Sequence, residues 1–270
     1  MRVALPRDRR DVLRQVGSAA VLMATRPLWA QGPAARSAPI VAAASDLKFA
    51  LDEVVAAFSA QTGQPIRVVY GSSGLLAMQI RQGAPFELFL SADEAFVNDL
   101  AVAGLLRDAG LVYAIGQIAL AVPRASMIQL DSGLRGLRAA VSAGLVKRLA
   151  IANPDHAPYG RRAREVLIAL QVWAALKGRL VLGENVSQAA QFAVSGSSDG
   201  GLVAQSLTMV PGFSERARSV VVSDRLHSPL IQRMALTRLA TTPVEGLYRF
   251  LQSDRARTIM TRYGFGQTSR

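Results

Sequence analysis

Short apolar runs, each ending in small or hydroxyl residues and followed by an amphipathic stretch, repeat along this 270-residue chain. Residues 39–44 read as a buried strand. The stretch after them carries Leu47, Ala50, Leu51, Val54, Val55 and Phe58 at helical spacing and closes near Gly63. Residues 66–70 and 86–90 are further strands, with helices over 75–82 and from about 94 to 103. Strands alternating with helices of this length predict mainly parallel sheets covered by helices on both faces. The fold class is α/β.

A second set follows the same rule: strand 149–152, helix 161–172, strand 180–182, helix 187–194 and strand 201–204. Residues 219–222 and 230–236 are additional strands, and 244–263 reads as one helix. The run 112–122 is long for a single buried strand, and 124–138 is polar and irregular. No Pro/Gly/Ser linker separates the halves. The expected organisation is therefore two lobes with more than one chain crossing, 38–121 plus 231–270 forming lobe 1 and 122–230 forming lobe 2.

Half the residues are hydrophobic and 19% are charged, which excludes a disordered or fibrous chain. The absence of cysteine excludes disulfide scaffolds, thiol chemistry and zinc clusters, and two histidines leave little material for a metal site. The formal charge is +12, but six arginines against two aspartates put +4 of it within residues 1–31, leaving +8 for the rest. No run of five basic residues occurs, so nucleic acid is not an expected partner. Residues 1–31 combine an arginine-rich start, a short apolar stretch at 16–24 and small residues near Ala30. That is the pattern of an export signal, with Arg9-Arg10 giving it a twin-arginine character. The expected location is the periplasm, with no span long enough to cross a bilayer in the remainder.

Several predicted strands end just before a helix in Ser, Asn or Asp: Ser45, Ser72 and Ser73, the segment Asn153-Pro154-Asp155-His156-Ala157-Pro158-Tyr159-Gly160, and Asn185-Val186-Ser187. Such residues are ordinary helix caps. The same turns also make anion sites, because helix starts offer unpaired N–H groups and a positive dipole end, and open α/β sheets bind ligands at this edge. Gly71-Ser72-Ser73-Gly74 carries two hydroxyls between glycines, more than a cap requires.

The blocks Ala42-Ala43-Ala44-Ser45-Asp46-Leu47, Gly71-Ser72-Ser73-Gly74, Gln79-Ile80-Arg81-Gln82-Gly83-Ala84-Pro85, Phe89-Leu90-Ser91-Ala92-Asp93-Glu94 and Arg262-Tyr263-Gly264-Phe265 stand in one order. Together with 153–160, this pattern resembles the periplasmic molybdate-binding proteins of ABC transporters over about residues 38–265. The resemblance implies a two-lobed, type II solute-binding fold that closes over a tetrahedral dianion, here molybdate and also tungstate. It implies delivery to a membrane permease by a monomer, with no cofactor and no direct protein–metal ligand. Carried over by position, Ser45 and Ser73 are hydroxyl ligands. Asp46, Tyr159 and Val186 contribute main-chain N–H groups, Tyr159 alternatively its phenol. Ser72 is a weaker candidate. Ala204 stands where some members place a ligand-touching tyrosine, so Tyr159 is a candidate substitute from the opposite wall.

None of these ligand positions is basic, and a cavity offering only donors suits a fully deprotonated oxyanion. Asp46 fits this picture only if its carboxylate turns away from the ligand, towards backbone N–H groups, or if the site takes a protonated anion. A receptor for sulfate or phosphate is the alternative. Arg161, Arg162 and Arg164 either draw anions to the cleft or form a solvated helix face. A serine hydrolase is the remaining class: Ser45-Asp46-Leu47-Lys48 fits Ser-x-x-Lys, and Gly196-Ser197-Ser198-Asp199-Gly200 fits Gly-x-Ser-x-Gly, followed by Asp224 and His227. Against it, no Lys-Thr-Gly occurs, and the elbow sits between a helix and a strand instead of the reverse. His156 and His227 read as hydrogen-bonded structural residues, and Trp173 as helix packing.

Overall fold

The computed structural model describes residues 38–266; the expected export signal lies outside the described residues. Ten strands form two five-stranded sheets. In chain order they are β1 (Ile40–Ala44), β2 (Arg67–Gly71), β3 (Leu88–Ser91), β4 (Leu111–Gly116), β5 (Ile118–Pro123), β6 (Leu149–Ala152), β7 (Leu180–Gly183), β8 (Gly201–Ala204), β9 (Ala217–Val221) and β10 (Leu230–Leu236). The helices are α1 (Lys48–Thr62), α2 (Ser73–Arg81), α3 (Glu94–Val102), α4 (Arg135–Ser142), α5 (Pro158–Ala169), α6 (Trp173–Leu176), α7 (Val186–Val194), α8 (Gln205–Thr208), α9 (Pro211–Ser214), α10 (Thr242–Phe250) and α11 (Asp254–Arg262).

The sheets share one plan. The first runs β2-β1-β3-β10-β4 and the second β7-β6-β8-β5-β9. In each, three strands are parallel and the fourth is antiparallel to both its neighbours. That fourth strand, β10 or β5, is the one that has just arrived from the other sheet. The chain crosses at Gln117 and returns through residues 222–229, so both halves are discontinuous or internal in sequence. The three parallel strands of each sheet end on the same edge, which places the starts of the following helices side by side.

Alternation along the strands decides what covers the first sheet. Val41 and Ala43, Leu88 and Leu90, and Met234 face α1, α10 and α11 through Leu47, Leu51, Val54, Leu247 and Ile259. Ala42, Phe89 and Ala235 face the opposite way, against Leu76, Ile80, Val97 and Leu100 of α2 and α3. Both faces are buried, so these strands read as continuous apolar runs. Helix α1 stops where Gly63 takes φ +69°, the left-handed conformation that ends a helix. The second sheet packs Leu120, Ile151 and Leu202 with Val166, Leu167, Ala189 and Ala193 of α5 and α7 in one large core.

Two expectations are corrected. The run 112–122 is two strands in different sheets, split at Gly116-Gln117, so an expected lobe boundary after residue 121 falls inside β5. The return boundary likewise falls one residue into β10. Apolar character on both sides of the crossing is broken only by Gly116 and the exposed Gln117, too short a break to mark a change of sheet. The helix expected over 244–263 is two helices, because Ser253 caps α11 by accepting from the Ala256 N–H at 3.3 Å. No helix among the described residues is long and apolar enough to cross a membrane.

Candidate functional site

The starts of α2, α5 and α7, and a 3-10 turn Ser45–Leu47 leading into α1, meet around a small cavity of about 10 Å³. Its wall contains Ser45, Asp46, Ser72, Ser73, Tyr159 and Val186. All six are buried. The cavity is far smaller than the clefts that take drug-sized ligands, with room for about one water-sized group as the structure stands. No Lys or Arg lines it. Six of the seven residues expected at a site are thus brought together. Ala204 is not: it ends β8, paired with Ile118 in the second sheet.

The two central serines are held alike. Ser45 Oγ accepts from the Ser187 N–H at 3.3 Å, and Ser73 Oγ accepts from the Ala92 N–H at 3.0 Å. Each hydroxyl has a backbone donor on its lone pairs, which leaves its own proton to be donated. Tyr159 and Val186 lie in the first turns of α5 and α7, where backbone N–H groups have no partner within the helix. Pro158 before Tyr159 has no N–H to waste and presets the first turn. Ser72 differs from its neighbour. It caps α2 through the Leu75 N–H at 3.4 Å and meets His156 Nδ1 at 2.8 Å.

These contacts also join the two halves. The Gly74 N–H donates to the His156 carbonyl oxygen at 3.0 Å, and a Cβ on Gly74 would lie 2.5 Å from that oxygen. Glycine is therefore required at 74 for the approach of the opposite half, not for the approach of a ligand. Ser187 Oγ donates to the Ser45 carbonyl oxygen at 2.8 Å, and Ser206 Oγ to that of Asp46 at 2.7 Å.

Asp46 meets the expected backbone N–H groups, its own and that of Leu47, only as weaker partners. Its carboxylate turns to side chains: Oδ2 accepts from Gln232 Nε2 at 2.6 Å and from the Tyr159 hydroxyl at 3.1 Å. Tyr113 donates in turn to Gln232 Oε1 at 2.8 Å. Burial pushes the Asp46 carboxyl up to about 6, with the Gln232 and Tyr159 hydrogen bonds opposing it. Burial, and then the Asp46 charge, raise the Tyr159 and Tyr113 hydroxyls well above the usual tyrosine range. The Tyr159 proton is committed to Asp46, so its phenol is not a free donor to a ligand; its backbone is. A Cβ at Gly116 would sit 2.6 Å from the Tyr159 hydroxyl oxygen, so this network fits only beside glycine.

Gln232, Tyr113 and Ser206 were not singled out from sequence, and Ser187 only as part of the turn Asn185-Val186-Ser187. Gln232 was visible as a polar residue inside the apolar run 230–236, since a buried amide needs partners. The arginines of α5 are neither free nor at the cavity. Arg161 lies over the Phe96 ring, Arg162 pairs with Asp93 and Glu165, and Arg164 lies over the Trp173 ring. Trp173 itself packs against the core of the second sheet. Ser198 follows α7 and precedes β8, and its hydroxyl donates to the Phe192 and Gly200 carbonyl oxygens, so it is not a nucleophile elbow. Lys48 turns to Asp52, away from Ser45. No group of three or more potential metal ligands occurs among the described residues.

Two sheets of like topology closing on a small donor-lined cavity define a protein that encloses a small solute between two lobes. The chain belongs to the bacterial extracellular solute-binding protein family, whose model matches residues 40–266. It is 34% identical over 240 residues to a molybdate-binding protein of Rhodobacter capsulatus, covering 86% of this chain and 90% of that one. It is 31% identical to the corresponding protein of Azotobacter vinelandii, over 86% and 92% of the two chains. Among solved structures, the Azotobacter vinelandii periplasmic molybdate-binding protein matches with a TM-score of 0.76 at 24% identity, over 86% of this chain and all of that one. The sulfate-binding protein SubI of Mycobacterium tuberculosis matches with a TM-score of 0.69 at 14% identity, over 86% of each chain.

Proposed function

We propose that this protein captures molybdate, and tungstate with it, outside the cytoplasm and delivers it to the membrane permease of an ABC importer. The observation that carries the reading is the composition of the cavity wall: serine hydroxyls with free protons, helix starts, and no cation. Ser45 and Ser73 donate through their hydroxyls, and Asp46, Tyr159 and Val186 through backbone N–H groups, to the anion oxygens. Hydrogen bonds to a charged partner contribute about 1.5–3 kcal/mol each. A handful of them reaches nanomolar affinity, about −12 kcal/mol, after ordering costs. The names of the relatives support molybdate as the anion.

Closure of the two lobes completes the donor shell and creates the surface a permease recognises, while the open form releases the anion. Export through the N-terminal signal and action as a monomer in the periplasm belong to the same proposal. Calorimetry with molybdate, tungstate, sulfate and phosphate tests it. Tight binding of the two larger anions is expected, with sulfate at least a hundredfold weaker because it leaves donors out of reach. Tight sulfate or phosphate binding without a molybdate signal overturns the assignment.

A further inference from the structure

Asp46 is the one acid on the cavity wall. Its carboxyl is buried, and side chains hold only one of its oxygens, with the Asp46 and Leu47 backbone N–H groups weaker partners of the carboxylate. Oδ2 has Tyr159 and Gln232, whereas Oδ1 is shielded from solvent and has no hydrogen-bond partner. An unpartnered, shielded carboxylate oxygen is unfavourable. The other polar groups proposed to meet the ligand are donors, so an entering oxyanion sets its own lone pairs against those of this acid. Two acceptors face each other favourably only with a proton between them.

No neighbouring charge relieves this. Facing Asp46 are Tyr159 from α5, Tyr113 from β4 and the neutral Gln232 from β10. Ser206 from α8 reaches only its carbonyl oxygen, and Ser187 from α7 is occupied by Ser45. Lys48 at the start of α1 is paired with Asp52, and His156 beyond the cavity wall is bonded to Ser72. Building on the function proposed above, we propose that Asp46 binds the anion through one shared proton, an O–H···O bond between Oδ1 and an anion oxygen. A fully deprotonated anion takes that proton from solvent as it binds. An anion of the hydrogen phosphate class brings its own.

Burial, against the opposing hydrogen bonds, already raises the carboxyl to about 6 without an anion, and a dianion alongside raises it further. Molybdate affinity is therefore highest when Asp46 is protonated. It falls about tenfold per pH unit once the pH exceeds the carboxyl pKa of the anion-free protein. Hydrogen phosphate escapes this loss, so discrimination between the two narrows as pH rises.

The test is calorimetry of the full chain with sodium molybdate from pH 5.5 to 8.5, in buffers of unlike ionisation heat. Uptake approaching one proton per anion at pH 8, and an affinity falling about tenfold per unit from pH 7 upward, are expected. Asp46→Asn should flatten the profile and abolish the uptake. Tyr159→Phe, which removes one donor from Oδ2, should move the start of the decline to higher pH. If neither variant folds, the proton count of the unaltered protein decides alone. Tight molybdate binding with no proton uptake and a flat profile overturns the shared proton while sparing the function. No molybdate heat at any pH overturns the function, and this inference with it.

Discussion

The two walls of the cavity present donors in different ways. The first sheet contributes side chains: Ser45 and Ser73 as hydroxyls steered by backbone N–H groups, and the Asp46 carboxyl. The second sheet contributes the bare starts of α5 and α7, where Tyr159 and Val186 matter for their backbone and not for what hangs from it. The difference follows from how each is held. A hydroxyl rotates and must be fixed by a second contact; Ser187 of the opposite half fixes Ser45, and Ala92 fixes Ser73. A helix start needs no such help, since the helix orients its N–H groups. The first wall therefore depends in part on contact with the opposite half, and the second on its own helices.

The largest expected effect comes from holding the walls apart. Gly74→Ala places a Cβ against the His156 carbonyl oxygen, a backbone atom that cannot yield cheaply. An overpacking penalty of about 3 kcal/mol in the closed form alone means roughly hundredfold weaker anion binding. Unchanged affinity by calorimetry would mean that the 74–156 contact is absent from the bound form.

Next comes the single charge on the first wall. Asp46 has its carboxyl raised from 3.8 to about 6 by burial, so the folded state binds its proton more tightly than the unfolded state does. That penalises folding by an amount that is absent below about pH 4, grows as pH rises towards 6, and is complete above it. Asp46→Asn should thus stabilise the anion-free protein by about 3 kcal/mol at pH 7.5 and very little at pH 4. Urea melts at the two pH values give the comparison; equal effects at both would show that Asp46 is not held in this way.

A smaller loss is expected from the hydroxyl itself. Ser73→Ala should weaken the anion by about 1.5–3 kcal/mol, the range for a hydrogen bond to a charged partner. Ser72→Ala, one residue earlier, removes a cap and the His156 contact and should cost about 1 kcal/mol, seen mainly as stability. If the two alanines proved equal in calorimetry, the separation between donor and cap drawn from their partners would be wrong.

The same pair shows how far the sequence could be read. Both serines stood out, but nothing local distinguishes them, because the partners that do, Ala92 and His156, lie 19 and 84 residues away. Strand β6 was legible to the residue because it is an uninterrupted apolar run, and β10 by its apolar ends on either side of Gln232 and Arg233. A single exposed polar residue, Gln117, was too little to show the change of sheet within 112–122. The turns were legible as anion sites from helix-start chemistry, and the ligand set came from family resemblance. What stayed hidden was the polar network of Gln232, Tyr113 and Tyr159 around Asp46. Its members come from three elements, and only tertiary structure shows that the acid turns to side chains.

The second wall gives the smallest effect and the sharpest contrast. Val186 is buried, so Val186→Ala removes packed methyl groups and should cost roughly 1–2 kcal/mol of stability. Its backbone N–H is untouched, and anion affinity should change by less than about threefold, under 0.7 kcal/mol. A hydroxyl wall fails when its side chain is cut; a helix-start wall does not. A tenfold affinity loss in this variant would mean that the valine side chain shapes the cavity for the anion. The two walls would then differ in chemistry but not in their dependence on side chains.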